Sequence, residues 1–161
     1  MEFLSVSEEI ISSLSEWEQK LRNLEQDTIL RRRNRQNRNI KQILGHMIDS
    51  ASNNTHRVIH LQYNDIPLIF PNYATQGNND RWIAIQHYQD EDWEQMIQLW
   101  KYSLLHFCHV IENVNPAKLD NEWISSLGQK ITLRSMVSDF PRHLQLHLDE
   151  INALLNSESA K

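Results

Sequence analysis

The chain has eight histidines in 161 residues, and their spacing sorts them. His143 and His147 stand four apart, as do His56 and His60. On an α-helix that step stacks two side chains on one face, one turn apart, so both rings can reach one ion. Neutral imidazole is a good ligand for zinc and similar divalent metals. Orientation separates the two pairs. On a wheel at about 100° per residue, Leu133, Met136, Val137, Phe140, Leu144, Leu148, Ile151 and Leu154 define an apolar arc. His147 falls inside that arc, and His143 lies on its edge, about 40° away from His147. Two stacked, inward-facing imidazoles are hard to satisfy with hydrogen bonds alone, and a metal ion satisfies both. His56 and His60 lie off the apolar face of their own segment and read as a solvated pair.

His46 borders a second apolar arc, between Gly45 and Met47. With His143 and His147 it makes three ligands, which leaves an open position of the kind catalytic metal sites keep. Asp49 follows His46 by three residues and Glu150 follows His147 by three. Either carboxylate could orient a ligand or a bound water. His106 and His109 fall opposite the apolar stripe of their segment, and His87 has no periodic context. Cys108 lies on the stripe and reads as core; with no base beside it, it is a poor nucleophile.

Four amphipathic helices must position these residues. The first is expected over about 7–30, carried by Leu14, Trp17, Leu21 and Leu24, with Ser5 and Glu8 as a candidate capping box. The second is expected over about 40–62, with Ile43, Leu44, Met47, Ile48, Ala51, Val58 and Ile59 inward. The third covers about 92–114 and is closed by Asn115-Pro116. The fourth covers about 132–155, with distortion expected at the internal Pro141. Between the second and third lies IPLIFPNYATQGNNDRW, residues 66–82, a long crossing loop of the kind that tends to be functional. A turn is expected at Leu127-Gly128-Gln129, and the tail, residues 156–161, reads as frayed. The fold class is thus all-α: a single domain over 1–161, a four-helix bundle with a long crossover between helices 2 and 3.

Composition narrows the function classes. Three glycines and four prolines are too few to punctuate a strand-and-turn fold. One cysteine excludes a disulfide within the chain and makes a reducing compartment the expectation. The N-terminal MEFLSVSEEI lacks signal-peptide character, and no apolar run reaches the roughly 18 residues of a membrane span, so the expected location is cytoplasmic, with no membrane partner. Residues 31–41 hold six of the 16 basic residues, leaving ten against 21 acidic elsewhere, a net of −11. So acidic a body disfavours a broad nucleic-acid footprint, and RRRNRQNRN reads as a solvated connection.

The segments ILGHMIDSASNNTHR (43–57) and TLRSMVSDFPRHLQLHLDEI (132–151) resemble the DinB-like superfamily, and within it the YfiT-type branch of bacillithiol transferases and metal-dependent hydrolases. They look like that branch's G-H-L-x-D-S-x-x-N-x-x-R and D-Y-V-x-H-x-x-H-H-x-x-x-I helices, while NYATQGNNDRW and QHYQDEDWEQMIQLW look like the Tyr-to-Trp loop and third helix between them. Asn39-Ile40, Phe140-Pro141 and Leu146 depart from the pattern, where Trp-Ser, Tyr-Val and a further histidine are usual. The resemblance implies a four-helix bundle whose divalent ion, nickel or zinc, is held by His46, His143 and His147. It places Asn53 and Arg57 as pocket residues. It also implies thiol S-transfer from a low-molecular-weight thiol to a small-molecule electrophile, with hydrolysis as the competitor, and a homodimer, for which Leu99 and Val110 are spare apolar residues. From another class comes a stress-associated, non-catalytic metal-binding or interaction protein, distinguished by a closed metal site.

Overall fold

Helix α1 (Leu4–Arg22) buries Ile10, Leu14, Trp17 and Leu21, three- and four-residue steps that place all four on one face. This is the first helix of a computed structural model that describes residues 1–71, 73–75 and 77–157. Residues 158–161 of the expected frayed tail lie outside the described residues.

Three further long helices follow: α3 (Ile40–Tyr63), α5 (Trp93–Glu112) and α6 (Leu133–Asn156). Each starts on a polar cap. Asn39 and Gln42 form a reciprocal capping box at α3, Asp92 accepts from the Gln95 amide at α5, and Thr132 accepts from the Ser135 amide at α6. Helices α5 and α6 each pack against both α1 and α3, so α1 and α3 lie across the bundle diagonal. Trp100, Phe107, Leu44, Leu144 and Leu148 belong to the single buried apolar cluster between them. The expected four-helix bundle is the architecture found.

The structure corrects three local expectations. The first helix does not run to residue 30. It ends at Arg22, and a separate short α2 (Gln26–Arg31) follows. No glycine or proline marks that break; tertiary partners finish the helix instead, with the Trp93 indole donating to the Leu21 carbonyl at 3.0 Å. Ser5 and Glu8 form no capping box, because α1 begins at Leu4 with no side-chain cap. Ile59 turns outward, 44% exposed, while Val58 is buried. Pro141 lies inside α6, which does not end there.

The crossing segment 66–82 is not structureless. It holds β1 (Leu68–Ile69) and the start of α4 (Asn78–Ile85). Strand β1 pairs parallel with β2 (Glu122–Ile124), which pairs antiparallel with β3 (Lys130–Thr132), Trp123 facing Ile131. The expected turn joins β2 to β3, with Gly128 at φ +75°, a conformation that other residues adopt only with strain. Trp123 and Ile131 of this small sheet line a cavity together with residues of α3 and α6.

Five of the six basic residues of 31–41 have partners within the fold. Arg32 donates to the carbonyls of Leu154 and Leu155 at 2.7 and 2.9 Å, finishing α6. Arg31 pairs with Asp27, Arg38 with Asp80, Arg33 donates to the Asn37 carbonyl, and buried Lys41 donates to the Gln89 carbonyl. Among the described residues no helix is long and apolar enough to cross a membrane.

Candidate metal centre

His46 comes from α3, and His143 and His147 from α6, at the place where these two helices pack. One nitrogen from each ring lies within 4.8 Å of the others. The ring of His147 sits 4.5 Å from that of His46 and 4.6 Å from that of His143, centroid to centroid. His46 and His147 are buried, and His143 is half-buried.

Each ring is held by its outer nitrogen. Nδ1 of His147 donates to the Glu150 carboxylate at 3.0 Å. The Tyr73 hydroxyl lies 2.8 Å from Nδ1 of His46 and donates to the His46 carbonyl at 3.3 Å, so the tautomer that satisfies both contacts carries its proton on Nδ1. Nδ1 of His143 faces Ser50 Oγ at 3.5 Å, a weaker tether. In these tautomers Nε2 is the free lone pair on every ring. The Nε2 atoms of His143 and His147 are 3.3 Å apart. That matches the roughly 3.3–3.4 Å between two nitrogens about 2.05 Å from one tetrahedral ion. Three neutral imidazoles, oriented from behind, fit a divalent ion.

Electrostatics agree with neutral rings at His46 and His143. Burial, with His147, Arg38 and His143 adding to it, pushes the His46 imidazole down to about 2. Burial, together with His147 and Arg142, pushes His143 down to about 4. Burial alone would raise the Glu150 carboxyl, but its hydrogen bond to His147 and the nearby Arg38 charge hold it below the usual range. It is therefore an anion positioned to receive the His147 proton in a hydrogen bond.

Asp49 is placed differently. It is buried, and one carboxylate oxygen accepts from the Tyr88 hydroxyl and the Gln86 amide, both at 2.7 Å. The other oxygen has no hydrogen-bond partner. Burial raises its carboxyl, with those two hydrogen bonds opposing. Asp49 thus joins α3 to the segment after α4 and has no hydrogen bond to a ring of the triad. Gly45 permits this: a Cβ there would land inside the Tyr88 ring.

A cavity of about 610 Å³ lies beside the triad. His46 and His143 form part of its wall, and His147 stands behind them. Ser50, Asn54 and Arg57 continue the wall along α3, with Trp123 from the sheet. Asn53 is not on this wall; it lines a neighbouring hollow with His56 and Phe70, and its amide donates to the Asp49 carbonyl. Tyr73, Ser50 and Asn54 were not singled out from sequence. Only the i, i+4, i+8 step from His46 hinted at the last two.

The other histidines stand apart. His56 and His60 place their Nε2 atoms 3.0 Å apart at the surface, and His60 is also bound to Tyr63. His87, His106 and His109 are exposed. Cys108 is buried, and burial pushes its thiol up to about 11.

By sequence, no family model and no curated protein matches the chain. By structure, it matches YfiT from Bacillus subtilis with a TM-score of 0.74 at 17% identity, over 92% of this chain and 85% of that one. That protein is described as a probable metal-dependent hydrolase with an unusual four-helix bundle topology. The chain accordingly has the YfiT-type four-helix-bundle fold.

Proposed function

We propose that this protein is a metal-dependent enzyme of the YfiT type that carries out thiol S-transfer on a small molecule, with hydrolysis as the competing reaction at the same site. The observation that carries the reading is the convergence of three oriented imidazoles beside a cavity. A divalent ion bound there, nickel or zinc, would supply Lewis acidity, lowering the pKa of a thiol or water and holding it against an electrophile. His46, His143 and His147 would hold the ion. Glu150 and Tyr73 would fix the ligand tautomers, and the open cavity side, where His46 and His143 are exposed to it, would admit the reactants. The description of YfiT supports metal dependence.

The setting we infer is cytoplasmic, where a buried single thiol and a thiol co-substrate both stay reduced. We infer a small-molecule partner rather than nucleic acid, given the internal engagement of the basic segment. A homodimer would use the α5 face around Leu99, which is exposed; Val110 packs against the core.

Cobalt substitution tests the reading. Cobalt-loaded protein should show a sulfur-to-cobalt charge-transfer band on adding a low-molecular-weight thiol. Stoichiometric cobalt with no response to any thiol, and turnover of esters or amides instead, would favour hydrolysis. No stoichiometric metal would end both versions.

A further inference from the structure

Arg57 shares the cavity wall with His46 and His143, and no anion among the described residues pairs with it. It follows His46 by 11 residues on α3, about three turns, so the two side chains leave the helix within about 20° of one another. Ser50 and Asn54 fill the stripe between them, and all four line the same cavity. Arg57 is only 7% exposed. Its Nε is buried without a hydrogen-bond partner, and no carboxylate among the described residues lies within ion-pair distance.

Its guanidinium instead lies over the Trp123 ring, 4.4 Å from the centroid. That stacking orients the cation and offsets part of its desolvation, but a buried charge without a counter-charge is costly. The nearby acids are committed elsewhere: Asp139, also on the cavity wall, is held by Arg142 at 2.6 and 2.7 Å, and Glu150 by His147. The indole N–H of Trp123 is likewise buried without a partner. Three neutral imidazoles would leave the charge of a divalent ion undiminished, so with Arg57 the loaded cavity would be strongly positive.

We propose that Arg57, braced on Trp123, is the docking group for a carboxylate on the substrate, which lies along α3 with its reacting end toward the triad. The guanidinium fork suits a planar carboxylate, which would accept two parallel hydrogen bonds. The assignment of the reacting end rests on the metal-dependent function proposed above; the carboxylate subsite does not. The substrate class is a short carboxylic acid bearing a thiol, or one bearing the electrophile.

The test compares wild type with Arg57→Met, which keeps the bulk and removes the charge, by calorimetry on the metal-loaded protein. We expect 3-mercaptopropionate to lose tenfold or more in affinity in the variant, and 2-mercaptoethanol to be unchanged. Equal losses for both thiols, or none for either, would overturn the proposal. If Arg57 merely braced the fold, Arg57→Met would melt lower; we expect an unchanged or higher melting temperature, because an unpaired buried charge has gone. Should Arg57→Met not fold, Arg57→Lys is read by the same criterion, since it keeps the charge and loses the fork. A second arm uses chelator-treated protein and follows the Trp123 indole resonance. Propionate should shift it and propionamide should not, and only with Arg57 present. That result upholds the subsite even in a protein found to hold no metal. Equal shifts from the two overturn it whatever metal is found. The carboxylate's source is read by titrating propionate as well into the metal-loaded wild type: 3-mercaptopropionate binding more tightly than propionate assigns it to the thiol, and equal binding assigns it to the electrophile.

Discussion

Nε2 of His147 lies 3.3 Å from Nε2 of His143, and both are acceptors when their rings are protonated on Nδ1. Two lone pairs facing one another at that distance repel unless a cation lies between them. The Glu150 carboxylate enforces the arrangement from behind by taking the Nδ1 proton of His147.

The first prediction concerns occupancy. After desalting, the wild type should hold about one divalent ion per chain, and His143→Ala or His147→Ala should hold essentially none. His56→Ala should keep the ion, because that pair lies at the surface, apart from the triad. Elemental analysis of the purified variants decides the matter. A full complement in His143→Ala would remove the triad from consideration.

A second prediction separates the two carboxylates that the sequence treats alike. Glu150→Ala should weaken metal affinity about 10- to 100-fold, by leaving the His147 ring free to turn. Tyr73→Phe should act in the same direction through His46. Asp49→Asn should leave affinity within a few fold, since Asp49 bonds Tyr88 and Gln86 rather than a ligand. Competition against a chromophoric chelator measures all three.

pH dependence follows from the depressed imidazoles. In metal-free protein the unfolded histidines titrate near 6.5, while folded His143 and His46 resist protonation until about 4 and about 2. Below about pH 6.5 the unfolded chain therefore binds protons that the folded chain refuses, so stability falls as pH falls. The slope is about 1.4 kcal/mol per pH unit for each such proton. It should persist down to about pH 4 for the pair and lower for His46 alone. Urea midpoints between pH 7 and 4 should drop for the wild type, and less steeply for His143→Ala.

Gly45→Ala should destabilise the protein by about 1–3 kcal/mol, because the added methyl overpacks the Tyr88 ring and pulls its hydroxyl off Asp49. Denaturant unfolding measures the loss. A neutral result would mean that Tyr88 yields without cost.

Much of this was legible in the residues because helical periodicity is local. An arc such as Leu133 to Leu154 needs only its own sequence to show which way His147 faces. The end of α1 at Arg22 was not legible, since no glycine or proline stops it; Trp93, 72 residues after Leu21, accounts for the Leu21 carbonyl. The three-stranded sheet escaped notice for a related reason. Strands of two and three residues are too short for a two-residue period, and β1 exists by pairing with β2 across more than 50 residues of chain.

By itself, then, the sequence determined the four long helices, most of their inward faces and which three imidazoles turn toward the core. Those properties depend on neighbours one turn away. Tertiary structure alone decided which carboxylate serves a ligand, that Tyr73 reaches back to His46, and that Arg57 lies over Trp123. Each of these is a relation between side chains that only packing brings together. The same three-residue spacing puts Asp49 after His46 and Glu150 after His147, and only the packed neighbours Tyr88 and Gln86 turn Asp49 to another task.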